Sequence, residues 1–415
     1  MPYTGATAGY AAGEQTNTSK LDYALETTFN VAPGGAYQRL RMTGESLAVQ
    51  DGVATPDEIN DIPEDAETVL TSRSTRGSIN GVVSYGTYDD LVAGVLGADW
   101  VSVERSPNND AWVAAVNDVT AANLVGYSCD SILMNNFDVS GIQKAGVVQI
   151  IDQTKNFSVS LPYHLLLRGG LGPTLVVPLH SFDALVGSGT TYALNKDAQV
   201  TFNSLVNDKL GKTFTFRKAL AGQWQHFTGN MVSQVQISLQ QGQAPTIQID
   251  VVGSDMKVST VDVSGSVNAA TSTAIMNTVD GFLGCKIFGT APAGCIRSAS
   301  ITLSRNGNAQ DTGMGHVGAC GVQFGSLQAR MEIQYFFKDY TQFLAWQAGQ
   351  KGVVSVSIQD ASGNGYEFMM LNGRIFNPTN PISQKNSTIV TTVSVTGNPL
   401  PGGGTFGIRR IVAGV

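Results

Sequence analysis

The stretch that decides the fold is residues 77–100, which read Gly-Ser-Ile-Asn-Gly-Val-Val-Ser-Tyr-Gly-Thr-Tyr-Asp-Asp-Leu-Val-Ala-Gly-Val-Leu-Gly-Ala-Asp-Trp. Residues 79–85 alternate as expected of a half-buried strand, and Gly86 breaks that pattern. Thr87 and Asp90 then have the spacing of a capping box, which predicts a helix that ends before Gly97. We therefore expect a strand that continues directly into a short helix, and this helix must fold back onto a sheet.

The same pattern returns near the C-terminus, between Gly325 and Gly349. An alternating run is followed by aromatic residues, an acidic helix start, an apolar stripe at helical spacing and a glycine. Two copies of one strand-and-helix pattern predict an internal repeat. In both copies we expect aromatic and aliphatic side chains to form the core between helix and sheet: Tyr85, Tyr88, Leu91, Val95, Phe337, Tyr340 and Leu344.

The composition favours many short strands joined by tight turns. Of the 415 residues 47 are glycine, and charged residues make up only 14%, well below the usual quarter or so. The formal net charge of −7 argues against a surface that coats nucleic acid, because such a surface would be basic. An acidic surface could still face DNA if its role were to let DNA pass without binding it.

The order of motifs divides the chain into a repeated unit, an insertion and connecting segments. The first copy resumes with strand-like runs at 213–217 and 246–253 after a long interruption, which has strand-like runs of its own. The expected divisions are a flexible N-terminal arm (1–20), a first β domain (21–100 and 208–256), an inserted β-rich subdomain (101–207), a linker with the start of the second unit (257–299), a second β domain (300–399) and a C-terminal tail (400–415).

Each copy also contains a long polar excursion between two strand-like runs, at 51–76 and at 304–322. Loops this long inside compact domains are usually functional or disordered, so a solvated loop and an arm that becomes ordered against a partner are both open. The candidate contact residues in the two loops are Asp57, Glu58, Asp61, Glu64, Asp65, Glu67, Arg305, Asn306, Asp311 and His316.

No motif in the sequence predicts catalysis, a metal or a cofactor. The four histidines are scattered, and neither a His-Glu-x-x-His, a Gly-x-Ser-x-Gly nor a Walker-type phosphate loop occurs. The loop carboxylates lack the spacing of an EF-hand. We expect a protein that is not an enzyme and has no cofactor.

The cysteine pattern and the hydropathy suggest a soluble protein made in a cytosol. The four cysteines lack Cys-x-x-Cys spacing and are expected to be free buried thiols. The N-terminal residues lack the features of a signal peptide, and no apolar run is long enough to span a bilayer.

Taken in order, these motifs resemble those of the tail tube (major tail) proteins of long-tailed, siphovirus-type bacteriophages. The resemblance rests on Leu40-Arg-Met-Thr-Gly-Glu-Ser-Leu47, the acidic Asp57-Glu58-Ile59 and above all Val83-Ser-Tyr-Gly-Thr-Tyr-Asp-Asp-Leu91. Phe216-Arg217, Phe227-Thr228-Gly229 and the later hairpin strands extend it over most of the chain except 101–207 and the termini.

The resemblance implies a mainly β fold with two tandem tail-tube-type domains. Each would be a β-sandwich or partial barrel with one flanking α-helix and a long loop, and the inserted subdomain would add further strands. Sheets of neighbouring subunits would join around a ring, and the long loops would reach the next ring. Two units per chain imply a homotrimeric ring with pseudo-sixfold symmetry, with a true hexamer as the alternative.

The same resemblance implies partners and a place of action. Stacked rings would form the non-contractile tail tube of the virion, assembled in the cytoplasm of the host bacterium without a membrane. The tape measure protein and double-stranded DNA would occupy the lumen, where acidic and small polar side chains would repel phosphate, and tail terminator and distal tail proteins would bind the ends. The alternative is a β-sandwich binding or adhesin-like module that uses the inserted subdomain.

Overall fold

The computed structural model of the chain describes residues 16–59, 61, 64–108, 110–125, 128–168, 172–186, 189–220, 222–306, 308–382, 384–400 and 403–413. Most of the expected N-terminal arm, residues 1–15, lies outside this part of the chain. The described residues consist mainly of β-strands with four short α-helices, so the expected mainly β fold is confirmed. The helices are α1 (Asp89–Leu96), α2 (Val119–Val125), α3 (Asp183–Val186) and α4 (Thr341–Gln347).

Strands that pair with each other are mostly antiparallel. They are β1 (Lys20–Leu25), β2 (Ala36–Arg39), β3 (Gly44–Glu45), β4 (Ala48–Ala54), β5 (Val69–Val82), β6 (Val101–Arg105), β7 (Trp112–Ala115), β8 (Cys129–Met134), β9 (Ala145–Asp152), β10 (Phe157–Arg168), β11 (Gly172–Pro178), β12 (Thr191–Ala193), β13 (Gln199–Val206), β14 (Phe214–Leu220), β15 (Gln223–Gln240), β16 (Thr246–Gly253), β17 (Asp255–Ser259), β18 (Ser266–Asn268), β19 (Phe282–Ile287), β20 (Ile296–Asn306), β21 (Ala309–Asp311), β22 (Gly321–Gln323), β23 (Ser326–Phe336), β24 (Lys351–Gln359), β25 (Gly365–Thr379), β26 (Val390–Gly397) and β27 (Phe406–Ile411).

The central feature is a sheet in the order β3/β4–β5–β16–β15–β20–β23–β26–β25, which we call the main sheet. Along the second half of β15 and along β16, β20, β23 and β26, buried and mostly apolar residues alternate with less buried and mostly polar ones. In β5 this alternation runs from Ile79 to Val82, where the strand ends, within the stretch 79–85 for which the sequence predicted it. One row of fully buried side chains crosses the sheet from Ile79 through Ile249, Val235 and Leu303 to Ala329. Its apolar face therefore belongs to one continuous core.

Two smaller sheets cover that apolar face, and we call them outer sheet 1 and outer sheet 2. Outer sheet 1 contains β2, β1, β14, the first half of β15 and β17, and outer sheet 2 contains β19, β24, the first half of β25 and β27. The long strands β15 and β25 thus pass from an outer sheet into the main sheet. In β15 the passage coincides with Gly229, whose φ of +66° suits glycine best.

The segment between α1 and β14 has its own core. Strands β6, β13, β9, β10, β11, β8, β7 and β12 pair in that order, and their inner residues form a separate cluster around Trp112, Phe182 and Phe202. This body is joined to outer sheet 2 where β13 pairs with β27. Residues 406–411, expected within a C-terminal tail, therefore form a strand shared by both bodies, with Phe406 and Ile408 buried.

Helix α1 forms where the opening stretch predicted it, but it begins differently. Tyr88 is the N-cap residue and makes no side-chain capping bond, whereas Thr87 bonds Ser84 and Thr271 instead, so the predicted capping box is wrong. At the other end Gly97 has a φ of +63° and its N–H donates to the last turn, as predicted.

Candidate assembly interface

The two halves of the main sheet are joined by an internal seam between β15 and β20. Seven residues of each strand lie opposite one another, from Gln234 opposite Ser304 to Gln240 opposite Ser298. Val235, Ile237 and Leu239 face the core with their partners, and the intervening side chains are polar. A seam of this kind needs only backbone hydrogen bonds and matched alternation, so it could form equally well between separate chains.

The strands on the two sides of the seam repeat the same pairings. The order β3/β4–β5–β16–β15 corresponds to β20–β23–β26–β25, and β1, β14 and β17 correspond to β19, β24 and β27. The helices match as well: Tyr88 and Tyr340 are the two N-cap residues, and Gly97 and Gly349 follow with φ of +63° and +65°. Residues of the two units can therefore be compared position by position.

The main sheet ends in two open edges. At one end, β3 and β4 pair with β5 on one side and with no described strand on the other. At the other end, the last residues of β25 pair with β26, while β24 on the opposite side stops opposite Arg374. Unpaired edges of this length attract other strands unless they are covered. These edges correspond to the two strands that form the internal seam.

The face of the main sheet that points away from the core is polar and carries few charges. Serine, threonine and glutamine predominate on β15, β16, β20 and β26, and charges of both signs occur, such as Glu332 beside Arg330. An open groove crosses this face and is lined by Gln236, Ser300, Thr302, Arg330, Glu332 and Phe376.

The acidic loop joins β4 to β5 and extends into solvent. The candidates Asp57, Glu58, Asp61, Glu64, Asp65 and Glu67 are all exposed, and Ile59 between them is fully exposed. Residues 60, 62 and 63 of this loop lie outside the described part of the chain. The structure thus places these carboxylates together at the end of one long hairpin.

The second loop is folded back onto its own chain. Strands β21 and β22 form a small hairpin, and Val317 and Ala319 bond Arg73 and Ser254 of the first unit. Asp311 and His316 are exposed, as is Asn306, which bonds Gln328. Arg305 does not extend from the loop as expected. Its guanidinium donates hydrogen bonds to the Val95 and Gly325 carbonyls, so it stabilises the C-terminus of α1.

The two helices differ sharply in burial. Tyr88, Leu91 and Val95 of the first copy are buried and Tyr85 is partly buried, in agreement with the expected helix-to-sheet packing. In the second copy Phe337 is partly buried, but Tyr340 and Leu344 are 61% and 63% exposed, so their assignment to a core is wrong for the single chain. They are exposed because no other part of the described chain covers that side of α4.

Outer sheet 2 of the other unit covers the N-terminal part of α1, while β13 and β20 also contact the helix. Arg410 of β27 donates through Nε to Asp89 Oδ2 at 2.9 Å and stacks on Trp100, its guanidinium carbon 3.9 Å from the ring centre. The Tyr366 hydroxyl donates to the other Asp89 oxygen. Burial raises the pKa of the Asp89 carboxyl, and Arg410 and Tyr366 oppose part of that rise. Sequence reasoning missed this contact because its partners lie 321 residues apart.

The remaining titratable groups of the described residues matter for metal binding and for the state of the cysteines. Among the described residues, no three His, Cys, Asp or Glu side chains are arranged to hold a metal. Cys129 and Cys285 are buried, as expected, whereas Cys295 and Cys320 are exposed free thiols, contrary to expectation. None of the described helices is long and apolar enough to cross a membrane.

Comparison with known proteins gives one family match. A family model described as phage tail tube protein matches residues 16–397, which is nearly the whole chain. No curated protein matches the chain significantly.

Proposed function

Since the chain belongs to the phage tail tube protein family, we propose that its copies close into rings through the open edges of the main sheet and that the rings stack into a hollow tube. The protein is therefore a structural component of the phage tail. Membership of this family points to a role other than catalysis. The genome would pass through the tube during ejection. Assembly would take place in the host bacterial cytoplasm.

The observation that carries this proposal is the internal seam. Since β25 corresponds to β15, and β3/β4 to β20, the open edge of β25 in one copy is built like the strand that already pairs with β20. The matching rows give the register: Val235 corresponds to Ile375 and Leu303 to Leu47. We therefore expect Ile375 of one copy opposite Leu47 of the next, and Phe376 opposite Ser46.

The repeat also supports a subunit number. Each chain supplies two units and eight strand positions of the main sheet, since β3 and β4 share one position beside β5. A ring of three copies would thus contain six similar units and be pseudo-sixfold, with every seam of the same kind. Heterologous contacts that close by rotation generate such rings and leave no edge exposed. A ring of six copies is the alternative and would have twice the number of strands.

The polar face of the main sheet would line the lumen, since the other face is covered by the outer sheets. Its serine, threonine and glutamine side chains are mostly uncharged and can bond water, which would allow DNA to slide without strong attraction or repulsion. The lining expected from the sequence combined acidic with small polar side chains, and the small polar ones predominate on this face. The tape measure protein would occupy the same lumen before DNA, and the terminator and distal tail proteins would bind the last rings at either end.

The two loops would connect successive rings. The hairpin of β4 and β5 extends beyond the main sheet and ends in exposed carboxylates around the fully exposed Ile59. The second loop ends in Met314, which is also fully exposed. A large apolar side chain at the end of a polar loop favours a contact in the assembly, because it gains most when a neighbour buries it.

Disulfide cross-linking tests the ring directly. In a background with Cys295→Ser and Cys320→Ser, the pair Ser46→Cys and Phe376→Cys should form a disulfide between copies in assembled tubes, because directly opposite side chains lie close enough. Complete oxidation should yield a covalent species of three chains on a denaturing gel. A species of six chains would support the hexamer instead.

The matched control moves one cysteine three positions along the same edge. Ser46→Cys with Thr379→Cys should cross-link far less under the same oxidation. Tubes visible by negative-stain microscopy that yield no cross-linked species from the matched pair would contradict the seam. Purified protein that forms no tubes at any concentration would contradict the proposed function as a whole.

A further inference from the structure

The two helices occupy the same position in their units but have opposite exposure. Every residue of α1 except Asp90 is buried, whereas in α4 only Gln342 is buried. Matching the N-cap residues Tyr88 and Tyr340 places Val92 at the position of Leu344. Val92 is 6% exposed, while Leu344 is 63% exposed. The sequence keeps an apolar residue at a position that nothing in the described chain covers.

The cover of α1 shows what kind of surface is absent from α4. Tyr88, Asp89 and Val92 face a small cavity whose opposite wall is formed by Tyr366, Phe368 and Ile408 of outer sheet 2. The equivalent positions in α4 are Tyr340, Thr341 and Leu344, and all three are exposed. The exposed side of α4 therefore corresponds to the side of α1 that packs against the outer sheet of the other unit.

The equivalent surface exists on outer sheet 1. In outer sheet 2, Phe368 pairs with Val356 and Ile408, and in outer sheet 1 Phe227 pairs with Phe216 and Met256 in the same way. All these residues lie in, or pack against, the same core. Two residues further along, the pair of Tyr366 and Arg410 corresponds to Gln225 and Val258.

We propose that α4 of one copy docks on outer sheet 1 of the next copy in the ring, with Tyr340 and Leu344 against Val258 and Met256. Val258 is 57% exposed, so each side of this contact presents an uncovered apolar residue. The inference rests on the proposed ring. It adds a second contact beside the strand seam, because Gly349, just after α4, lies close to Arg374, the last residue of β25 before its open edge.

The charges on the two surfaces support the match. The buried ion pair of Asp89 and Arg410 inside the chain corresponds to Thr341 and Val258 between copies, so both charged partners are absent together. Loss of only one partner would bury an uncompensated charge, which is strongly unfavourable. The contact within the chain is thus a permanent ionic one, and the contact between copies is neutral and can form without desolvating a charge.

Substitution of Leu344 tests the docking. Leu344→Asp should raise the critical concentration for tube formation at least about tenfold, because it places a charge where an apolar side chain becomes buried. The fold of the unassembled protein should be unchanged by circular dichroism and thermal melting, since the side chain is exposed there. The matched control is Leu124→Asp on α2, where the leucine is 61% exposed, and its critical concentration should equal that of the wild type.

A charge pair introduced in trans gives a sharper test. Thr341→Asp and Val258→Arg should each impair assembly alone, and the double variant should restore tubes by recreating the Asp89–Arg410 pair between copies. Restoration would support the docking, and a double variant as defective as the worse single one would overturn it. Normal assembly of Leu344→Asp would also overturn it.

These outcomes separate the docking from the ring itself. If wild-type tubes form and the pair at Ser46 and Phe376 cross-links while Leu344→Asp assembles normally, the seam stands and the docking fails. If no tubes form from the wild-type protein, the ring fails and the docking fails with it.

Discussion

At the residue scale, a buried charge cluster holds outer sheet 1 to the segment that follows it. The Arg217 guanidinium is almost fully buried and bonds the buried carboxylate of Asp22 on β1 and Asp262 beyond β17, with Nε 2.9 Å from Asp262 Oδ1. Trp224 packs beside the same guanidinium. Because Arg217 has two acidic partners, the cluster joins three stretches of chain that are distant in sequence.

The cluster predicts a pH dependence through Asp262. Burial raises the pKa of the Asp262 carboxyl, but bonds from Arg217 and Ser264 lower it more, so it lies below the ordinary 3.8. The unfolded chain then binds this proton more readily, so the stabilisation is present above pH of about 4 and is lost as the pH falls further. Asp262→Asn should cost about 1–2 kcal/mol at neutral pH and flatten the acidic fall in Tm.

The control for this titration is Asp280→Asn, which alters an exposed carboxylate in the same linking region. Its curve of Tm against pH should follow that of the wild type. A wild-type slope on the acidic side that persists unchanged in Asp262→Asn would show that this carboxylate is not responsible.

At the element scale, the end of α1 depends on one glycine. Gly97 adopts a φ of +63° and lies against other parts of the chain: an added Cβ would be 2.5 Å from Arg305 Nη2 and 2.9 Å from the Leu210 carbonyl oxygen. The helix thus ends where its backbone meets the β20 side of the seam. Gly349 ends α4 with a similar φ but meets only Arg374, at 3.6 Å.

Alanine substitution should separate conformation from crowding at these turns. Gly86 also has positive φ, +76°, and an added Cβ there meets nothing within 4 Å. We expect Gly86→Ala to cost about 1 kcal/mol from backbone strain alone, and Gly97→Ala to cost at least about 1 kcal/mol more. Equal free energies of unfolding in denaturant melts would mean that the surroundings of Gly97 yield freely.

At the scale of the whole molecule, the acidic hairpin can be shortened without disturbing the sheet. Ala54 pairs with Val69, so deletion of Pro56–Glu67 leaves Thr55 and Thr68 as a two-residue connection. Replacing these two by Asn-Gly supplies the turn that such a hairpin prefers. We expect an unchanged far-UV circular dichroism spectrum, rings that still form and loss of ring stacking by electron microscopy.

The control replaces residues 56–67 by a Gly-Ser segment of the same length, which keeps the reach of the loop but removes its side chains. If side chains make the contact, this variant should also fail to stack. Tubes of normal length from the shortened variant would contradict the assignment of this loop to inter-ring contact.

Prediction from the sequence succeeded for features that depend on neighbouring residues. It failed for side chains whose contacts are set by residues far away in the sequence. The alternation that begins at Ile79, the short helix and the stop at Gly97 all follow from neighbours in sequence, and all are present, although the strand ends at Val82 and not at 85. The capping box failed because Ser84 and Thr271 bond Thr87, and Arg305 was misplaced because its acceptor lies on α1. Tyr340 and Leu344 have the pattern of core residues, but no core reaches them within the chain.

The sequence by itself determined the strands, the two helices of the repeat and the family resemblance. Alternation, helical spacing and the glycines that end these elements can each be recognised within a few neighbouring residues. Only the tertiary structure decided which strand edges stay open, which face of the sheet is polar and which of two similar helices is covered. Those properties depend on pairing between strands hundreds of residues apart, such as the Asp89–Arg410 contact. The stretch at 77–100 identifies the repeated strand-and-helix unit in the sequence, and the pairing of β15 with β20 shows how two such units join.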